Sequence, residues 1–142
     1  MTTRKASVVW NGGGKDGAGK ITTASGVLKD SNYGFKSRFE SGPGTNPEEL
    51  IAAAHAGCFS MALAFALEAA GHTAEEIDVE VAVTLVQDGQ GFKISRSDLT
   101  LKARVPGLDD AQFRQIAEAA HKNCPVSKVL NAESRLDAVL DA

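Results

Sequence analysis

The stretch from Leu50 to Leu67 is the feature that most limits how this chain can fold. It contains no Asp, Glu, Lys or Arg, and alanine is its commonest residue. The segment Thr45–Glu49 before it is a strong helix start, and Gly71 is a stop signal, so one helix should run to Ala70. A helix that is apolar nearly all round must be covered on every side. We therefore predict a long, buried central helix.

This stretch is also long enough to be mistaken for a membrane span. Its alanine content, together with His55 and Ser60, favours the buried helix of a soluble protein. The 142 residues, 43% apolar and 23% charged, are typical of one globular domain covering 1–142. The N-terminal Met-Thr-Thr-Arg-Lys leads straight into a strand-like pattern, so no signal peptide is predicted. We expect a cytoplasmic protein with no membrane partner.

Charge and cysteine usage exclude several classes of partner. A net charge of −3 and a pI of about 5.6 argue against nucleic acid binding. The sequence also contains no run of basic residues that could contact a phosphate backbone. No Cys-x-x-Cys motif occurs and the three histidines form no ligand cluster, so we predict no metal site and no cofactor. In a reducing compartment, a cysteine pair is more often redox-active or metal-binding than a structural staple.

The segments around the central helix predict strands and shorter helices. Extended pieces are expected before it, at residues 4–10, 20–25 and 33–39. After it, Asp78 to Leu85 and Phe92 to Val105 should form a hairpin. Helices are expected from Asp109 or Asp110 to about Asn123 and after Pro125, and a strand at 135–140. The order βββ-α-ββ-α-α-β belongs to the α+β class.

The second strand of that hairpin changes face. Its first apolar residues, Phe92 and Ile94, are even-numbered, whereas Leu99 and Leu101 are odd-numbered. A strand cannot exchange its faces without an extra residue. We predict a β-bulge between residues 95 and 98.

The two cysteines, Cys58 and Cys124, differ in their surroundings. Scattered cysteines are commonly just small buried hydrophobes. Cys124 precedes Pro125 at a predicted helix start, where free N–H groups and the helix dipole stabilise a thiolate. Cys58 lies in mid-helix among apolar residues, which raises the pKa of a thiol unless a cation is near. The candidate cations are Lys15, Lys36 and Arg38. Local physics alone therefore favours Cys124 at least as much as Cys58.

Five segments along the chain carry a recognisable pattern. They are the strand ending at Trp10, then 25–28, 33–40 (Tyr-Gly-Phe-Lys-Ser-Arg-Phe-Glu), 44–50 (Gly-Thr-Asn-Pro-Glu-Glu-Leu) and 124–127 (Cys-Pro-Val-Ser). The spacing of arginine, glutamate and both cysteines is specific only in combination. In this pattern the sequence resembles the OsmC/Ohr hydroperoxide reductases over essentially its whole length. The resemblance implies an OsmC-like fold and an intertwined homodimer with active sites at the subunit interface.

The resemblance also implies an activity and a set of roles. It implies a thiol-dependent peroxidase of oxidative and osmotic stress defence that reduces organic hydroperoxides in preference to hydrogen peroxide. Cys58 would attack the peroxide and Cys124 would form a disulfide with it, which an external thiol or dithiol reduces. Arg38 would stabilise the thiolate and Glu48 would hold the arginine. Without the resemblance, Arg38 is simply a surface cation and Glu48 a partner of the helix dipole.

One departure separates two branches of that family. In the Ohr branch the arginine comes from a glycine-rich loop near the N-terminus. Here the comparable loop, 12–17, contains Lys15 and no arginine. The arginine at position 38 therefore indicates the OsmC branch.

Helix geometry, taken with the roles that the resemblance implies, suggests a homodimer. Glu48 and Cys58 are ten residues apart, so on one straight helix they lie about 15 Å apart along the axis. Glu48 and Cys58 of the same subunit therefore cannot both contact one arginine. Either the helix bends, or Glu48 serves the cysteine of a partner subunit. The all-apolar helix favours the second option.

Several alternatives remain open at this stage. The chain could be a dimeric module that binds an apolar ligand, or a redox sensor without sustained turnover. A substrate pocket beside Leu50, Ile51, Phe59 and Met61 would favour alkyl hydroperoxides, because each buried methylene adds about 0.8 kcal/mol. His55, one turn before Cys58, is either a base or a buried hydrogen-bonded histidine, and we favour the latter.

Overall fold

The computed structural model describes residues 1–141 and confirms the α+β class. Its elements follow the order βββ-αα-ββ-αα-β. They are β1 Ala6–Asn11, β2 Ala18–Thr23, β3 Ser31–Tyr33, α1 Phe35–Phe39, α2 Pro47–Ala69, β4 Glu76–Asp88, β5 Gly91–Arg104, α3 Asp110–Asn123, α4 Pro125–Val129 and β6 Leu136–Asp141. Two compact units are formed, residues 1–50 and the residues from Ile51 onward. The single domain over 1–142 stays a prediction.

The first unit contains an antiparallel sheet and one short helix. Its strands lie in the order β1-β2-β3, and Trp10 faces Gly19 across the first pair. A side chain at Gly19 would collide with the rings of Tyr33 and Trp10, which lie 5.4 Å apart by ring centroid. Glycine at this position therefore lets the two aromatic rings pack together over the sheet.

The predicted third strand, residues 33–39, is wrong in all but its first residue. Only Ser31–Tyr33 is a strand, and Phe35–Phe39 is a single helical turn. The Ser37 hydroxyl accepts a hydrogen bond from the Gly34 N–H at 2.9 Å, which starts the turn. Phe35 and Phe39, four residues apart, meet on one side of that turn with ring centroids 5.1 Å apart. Side-chain capping and aromatic pairing outweigh the alternating pattern.

The central helix α2 begins where the sequence predicts and ends at Ala69, one residue before the predicted end. The Asn46 side chain accepts a hydrogen bond from the Glu49 N–H at 2.8 Å, and Gly71 adopts a positive φ of 88° after the last turn. Its most apolar 18 residues would suffice, by length and composition, to cross a membrane. Only 22% of that window is buried within one chain, and Met61 and Phe65 are 64% and 65% exposed.

The second unit is built on a sheet in the order β4-β5-β6. Strands β4 and β5 form the predicted hairpin, and β6 returns parallel to β5 after α3 and α4. The pairing shifts where Thr84 faces Arg96 but Leu85 faces Ile94. Ser95 is thus the extra residue, the first position of the predicted bulge interval. Beyond it, the odd-numbered residues Ser97 and Leu99 point inward and are buried.

The hydrophobic core of this unit lies between the sheet, α2 and α3. Its fully buried side chains include Phe59, Leu63, Leu67, Leu99, Leu101 and Phe113. The first three are spaced by four residues and line one side of α2. Cys124 is also completely buried in this core. The core therefore fixes the part of α2 that carries Cys58.

Candidate active site

Arg38 and Glu48 form a bidentate ion pair within the first unit. The guanidinium donates from Nε to Oε1 at 3.1 Å and from Nη2 to Oε2 at 3.2 Å. The Glu48 side chain is 10% exposed, whereas that of Arg38 is 38% exposed. Such a fork is stronger and more directional than an ordinary surface pair. One edge of a fixed cation is thus left open toward solvent.

The local sequence explains why these two side chains meet. The Asn46 amide donates to the Ser37 carbonyl at 2.8 Å, while its oxygen caps α2. Asn46 therefore ties the start of α2 to α1, which carries Arg38. Between them, Gly44 has a positive φ of 102°, and a side chain there would collide with the Asn32 carbonyl. The guanidinium also lies over the Phe39 ring, 5.3 Å from its centroid.

Cys58 is a free thiol on the part of α2 that belongs to the second unit. It is partly exposed, and it packs against the edge of the core. Burial raises the pKa of this thiol above its ordinary value. A hydrogen bond from the Val126 backbone N–H acts in the opposite direction, and the neighbouring Cys124 raises the pKa further. Within its own unit, Cys58 is therefore biased toward the neutral thiol.

Cys124 is the second free thiol and lies beside Cys58. It caps α4, because its sulfur accepts a hydrogen bond from the Ser127 N–H at 3.3 Å. The same sulfur lies 3.1 Å from the Ser127 hydroxyl. Pro125 occupies the first position of the helix, where its missing N–H costs nothing. The start of α4 thereby holds the buried Cys124 thiol next to Cys58.

His55 is fully buried one turn before Cys58. Its Nδ1 lies 2.6 Å from the Ser97 hydroxyl and its Nε2 lies 2.8 Å from the Ser127 hydroxyl. Burial lowers the pKa of His55, and the charge of His121 lowers it further. The imidazole is therefore neutral at pH 7. Its hydrogen bonds agree with the favoured prediction of a buried, hydrogen-bonded histidine.

His121 forms a second buried histidine–serine pair nearby. Its Nε2 lies 2.8 Å from the Ser134 hydroxyl, and its ring stacks on that of His55 with centroids 6.3 Å apart. Burial lowers the pKa of His121. The charge of Glu118 raises this pKa, and the charge of Lys122 lowers it further. This hydrogen bond joins His121 to a serine on the segment that leads to β6.

The predicted site residues thus fall into two pairs. Arg38 meets Glu48 in the first unit, and Cys58 meets Cys124 in the second. Lys15, another candidate cation, lies 5.6 Å from the centroid of the Phe35 ring.

One part of the predicted substrate pocket is wrong. Phe59 is fully buried in the core, so it does not line an open pocket, whereas Met61 on the same helix is exposed. The four-residue spacing of Phe59, Leu63 and Leu67 places all three on the core side.

Sequence reasoning assigned no role to Ser97 and Ser127. Ser127 stands three residues after a capping cysteine, a spacing that returns its side chain to the cap. Ser97 becomes an inward position only after the bulge at Ser95. The role of Ser127 could have been found from the helix start. That of Ser97 could be found only from the register of β4 and β5.

Comparison with known proteins places the chain among close relatives. The model of the family described as OsmC-like protein matches residues 40–138. Peroxiredoxin OsmC of Escherichia coli (strain K12) is 48% identical over 134 residues, which is 94% of each chain. Organic hydroperoxide resistance protein OhrB of Bacillus subtilis (strain 168) is 36% identical over 119 residues, 78% of this chain and 80% of the relative.

A solved structure agrees with these sequence matches. The crystal structure of the Bacillus subtilis protein OhrB superposes with a TM-score of 0.69 and 32% identity, covering 96% of this chain and 98% of the other. The chain belongs to the OsmC-like protein family.

Proposed function

We propose that this protein is a thiol-dependent peroxidase that reduces organic hydroperoxides. The observation that carries the proposal is the meeting of two free thiols, one partly exposed at Cys58 and one buried at Cys124. The names of the relatives, a peroxiredoxin and an organic hydroperoxide resistance protein, support the same activity. The more accessible thiol is the one that a peroxide can reach. We assign the attack to Cys58 and the resolving step to Cys124.

The first half-reaction needs a thiolate at Cys58. The thiolate sulfur attacks the terminal OH oxygen of the hydroperoxide, the O–O bond breaks, and the oxygen bonded to the alkyl group leaves as an alkoxide. Cys58 keeps the terminal oxygen and becomes a sulfenic acid. Because burial raises the pKa of Cys58, a nearby cation must stabilise its charged form. The guanidinium of Arg38, held in its fork by Glu48, is suited to this role and to hydrogen bonding the departing oxygen.

The second half-reaction protects Cys58 and prepares the next turnover. The Cys124 sulfur attacks the sulfenic sulfur, which forms a Cys58–Cys124 disulfide and releases water. An external dithiol then reduces the disulfide by exchange. We propose that this takes place in the cytoplasm, where reducing thiols are abundant.

We further propose that the active enzyme is a homodimer whose sites combine residues of both subunits. Glu48 and Cys58 lie on the helix Pro47–Ala69, ten residues apart, so about 15 Å of helix rise separates them. Arg38 holds both oxygens of Glu48. In this proposal the Arg38–Glu48 pair of one subunit serves Cys58 of the other.

The surface of α2 supports a second copy as the partner. Its exposed residues in this region include Ala54, Gly57, Met61 and Phe65, which recur every three or four positions and form one apolar stripe. A stripe of this kind left in water is costly, and a symmetric pair of identical helices covers it without a different partner. Gly57 and Ala54 also let two helices approach closely.

Sedimentation tests the dimer. We expect the wild-type protein to sediment at twice the 14.8 kDa chain mass, with no monomer at micromolar concentration. Met61→Glu places a charge in the stripe and should produce monomers that have lost peroxidase activity. Val139→Glu, which places the same charge at an exposed apolar position on β6 rather than on α2, is the matched control. A stable, fully active monomer would rule out the shared site.

Removing the resolving thiol should change the stoichiometry rather than the first attack. We expect Cys124→Ser to consume about one hydroperoxide per site, accumulate sulfenic acid at Cys58, and then stall as Cys58 over-oxidises. Mass spectrometry of the protein after each equivalent of peroxide measures this directly. Sustained turnover by Cys124→Ser with a dithiol reductant would show that the intramolecular disulfide is not required.

A further inference from the structure

Ser127 joins the resolving thiol to a buried imidazole. Its hydroxyl lies 3.1 Å from the Cys124 sulfur and 2.8 Å from Nε2 of His55. The other ring nitrogen, Nδ1, lies 2.6 Å from Ser97. These contacts form an unbroken chain of hydrogen bonds across β5, α2 and α4, and it ends on a sulfur that must lose a proton.

We propose that Ser127 and His55 form a proton relay for Cys124 in disulfide formation. The proposal rests on the peroxidase function above. It adds two roles: Ser127 contacts the reacting sulfur of Cys124, and His55 acts on that sulfur through Ser127 as a positioning residue. With a hydrogen on Nδ1 directed to Ser97, Nε2 accepts from the Ser127 hydroxyl. The Ser127 oxygen is then available to accept from the Cys124 thiol.

The relay balances the condensation step. The Cys124 proton passes to Ser127 Oγ while the Ser127 proton passes to His55 Nε2, and the sulfur attacks the Cys58 sulfenic acid. The S–O bond breaks as the S–S bond forms. The hydroxide that leaves takes a proton back from His55 through Ser127, so the products are one disulfide and one water.

The surroundings of His55 suit a neutral base. Burial and the neighbouring His121 lower the pKa of His55, so its imidazole can accept a proton at pH 7. His121 on α3 is the titratable group facing it, and Glu118 and Lys122 act on that ring in turn. The contact from β5 is the neutral Ser97, and α4 contributes Ser127 beside Cys124. A buried thiol has little access to water as an alternative base.

Single-turnover kinetics tests the relay. Wild type and Ser127→Ala are mixed with one equivalent of cumene hydroperoxide, and thiol loss and disulfide formation are followed by quenched mass spectrometry. We expect unchanged oxidation of Cys58 in Ser127→Ala but disulfide formation slowed about 100-fold, the usual scale of general acid–base catalysis. Ser127→Thr, which keeps the hydroxyl, should restore most of the rate, and His55→Asn should resemble Ser127→Ala.

The pH profile separates a relay from simple positioning of Cys124. In wild type, disulfide formation should be nearly independent of pH around and above neutrality. It should fall only at a pH below the ordinary titration range of histidine, because burial lowers the pKa of His55. In Ser127→Ala it should rise steadily with pH, because the proton must then leave to solvent. Ser134→Ala, which removes the analogous bond to His121, is the matched control and should behave as wild type.

Three results would overturn part or all of this account. A wild-type rate of disulfide formation in Ser127→Ala would overturn the relay alone. A slower rate with the wild-type pH profile would also overturn it, because positioning would then be the whole effect. Wild-type protein that consumes no hydroperoxide would overturn the proposed function, and the relay with it.

Discussion

Replacing Cys58 by serine should abolish thiol-dependent hydroperoxide consumption. We expect a loss of at least about 1,000-fold, because a covalent nucleophile has no substitute in the site. The partly exposed position of Cys58 on α2 tolerates a hydroxyl, so the variant should stay folded. A coupled assay with cumene hydroperoxide and a dithiol, together with circular dichroism, measures both properties.

The same variant separates the enzyme from the alternatives. A module that binds an apolar ligand would show no turnover in wild type and no effect of Cys58→Ser. A redox sensor would be oxidised once without sustained consumption of reductant. Undiminished turnover by Cys58→Ser would remove Cys58 as the nucleophile.

Replacing Arg38 by lysine should lower the kcat/KM of hydroperoxide reduction nearly as much as removing the positive charge would. Lysine keeps the positive charge but cannot form the two parallel hydrogen bonds that Arg38 makes to Glu48. We expect a fall of about 100-fold or more in kcat/KM, the scale of losing one transition-state donor. The rate should also require a higher pH, because burial already raises the pKa of Cys58 and less of it would be ionised.

Arg96→Lys is the matched control for this prediction. Arg96 also forms a bidentate pair, donating to Asp98 at 2.8 and 3.0 Å, but on the sheet of the second unit. We expect it to leave the peroxidase rate within twofold of wild type. Equal losses in Arg38→Lys and Arg96→Lys would mean that the arginine effect is general destabilisation rather than chemistry at Cys58.

Local signals in the sequence predicted most of the fold. The start of α2, the hairpin and the bulge each depend on neighbouring residues, such as Asn46 capping the helix and the change of parity between Ile94 and Leu99. The exception was the turn Phe35–Phe39, where alternation suggested a strand. There the Ser37 cap and the four-residue spacing of two phenylalanines decided the structure.

Two contacts of the candidate site, Arg38 with Glu48 and Cys58 with Cys124, agree with what the resemblance implies, whereas the hydrogen bonds around His55 had no signal in the sequence. The resemblance named Arg38, Glu48 and both cysteines, and the structure adds the bidentate geometry of the first pair. The chain from Ser97 through His55 to Ser127 was not predictable, because it joins residues 42 and 72 positions apart. Such contacts depend on strand register and helix packing rather than on spacing along the sequence.

The roles assigned to the two cysteines also needed more than local physics. The helix start favoured a thiolate at Cys124, and the buried setting of Cys58 raises its pKa. We assign Cys58 as the nucleophile because it is the more exposed thiol and because we propose that Arg38 supplies the cation. The order in which the two sulfurs react with peroxide is therefore the central claim.

Trapping the sulfenic acid tests that claim most directly. Cys124→Ser and Cys58→Ser are each treated with one equivalent of hydroperoxide in the presence of a 1,3-dione that reacts with sulfenic acids, and the adduct is mapped by peptide mass spectrometry. We predict an adduct on Cys58 in the first variant and none on Cys124 in the second. An adduct on Cys124 in Cys58→Ser, with none on Cys58 in Cys124→Ser, would contradict the account.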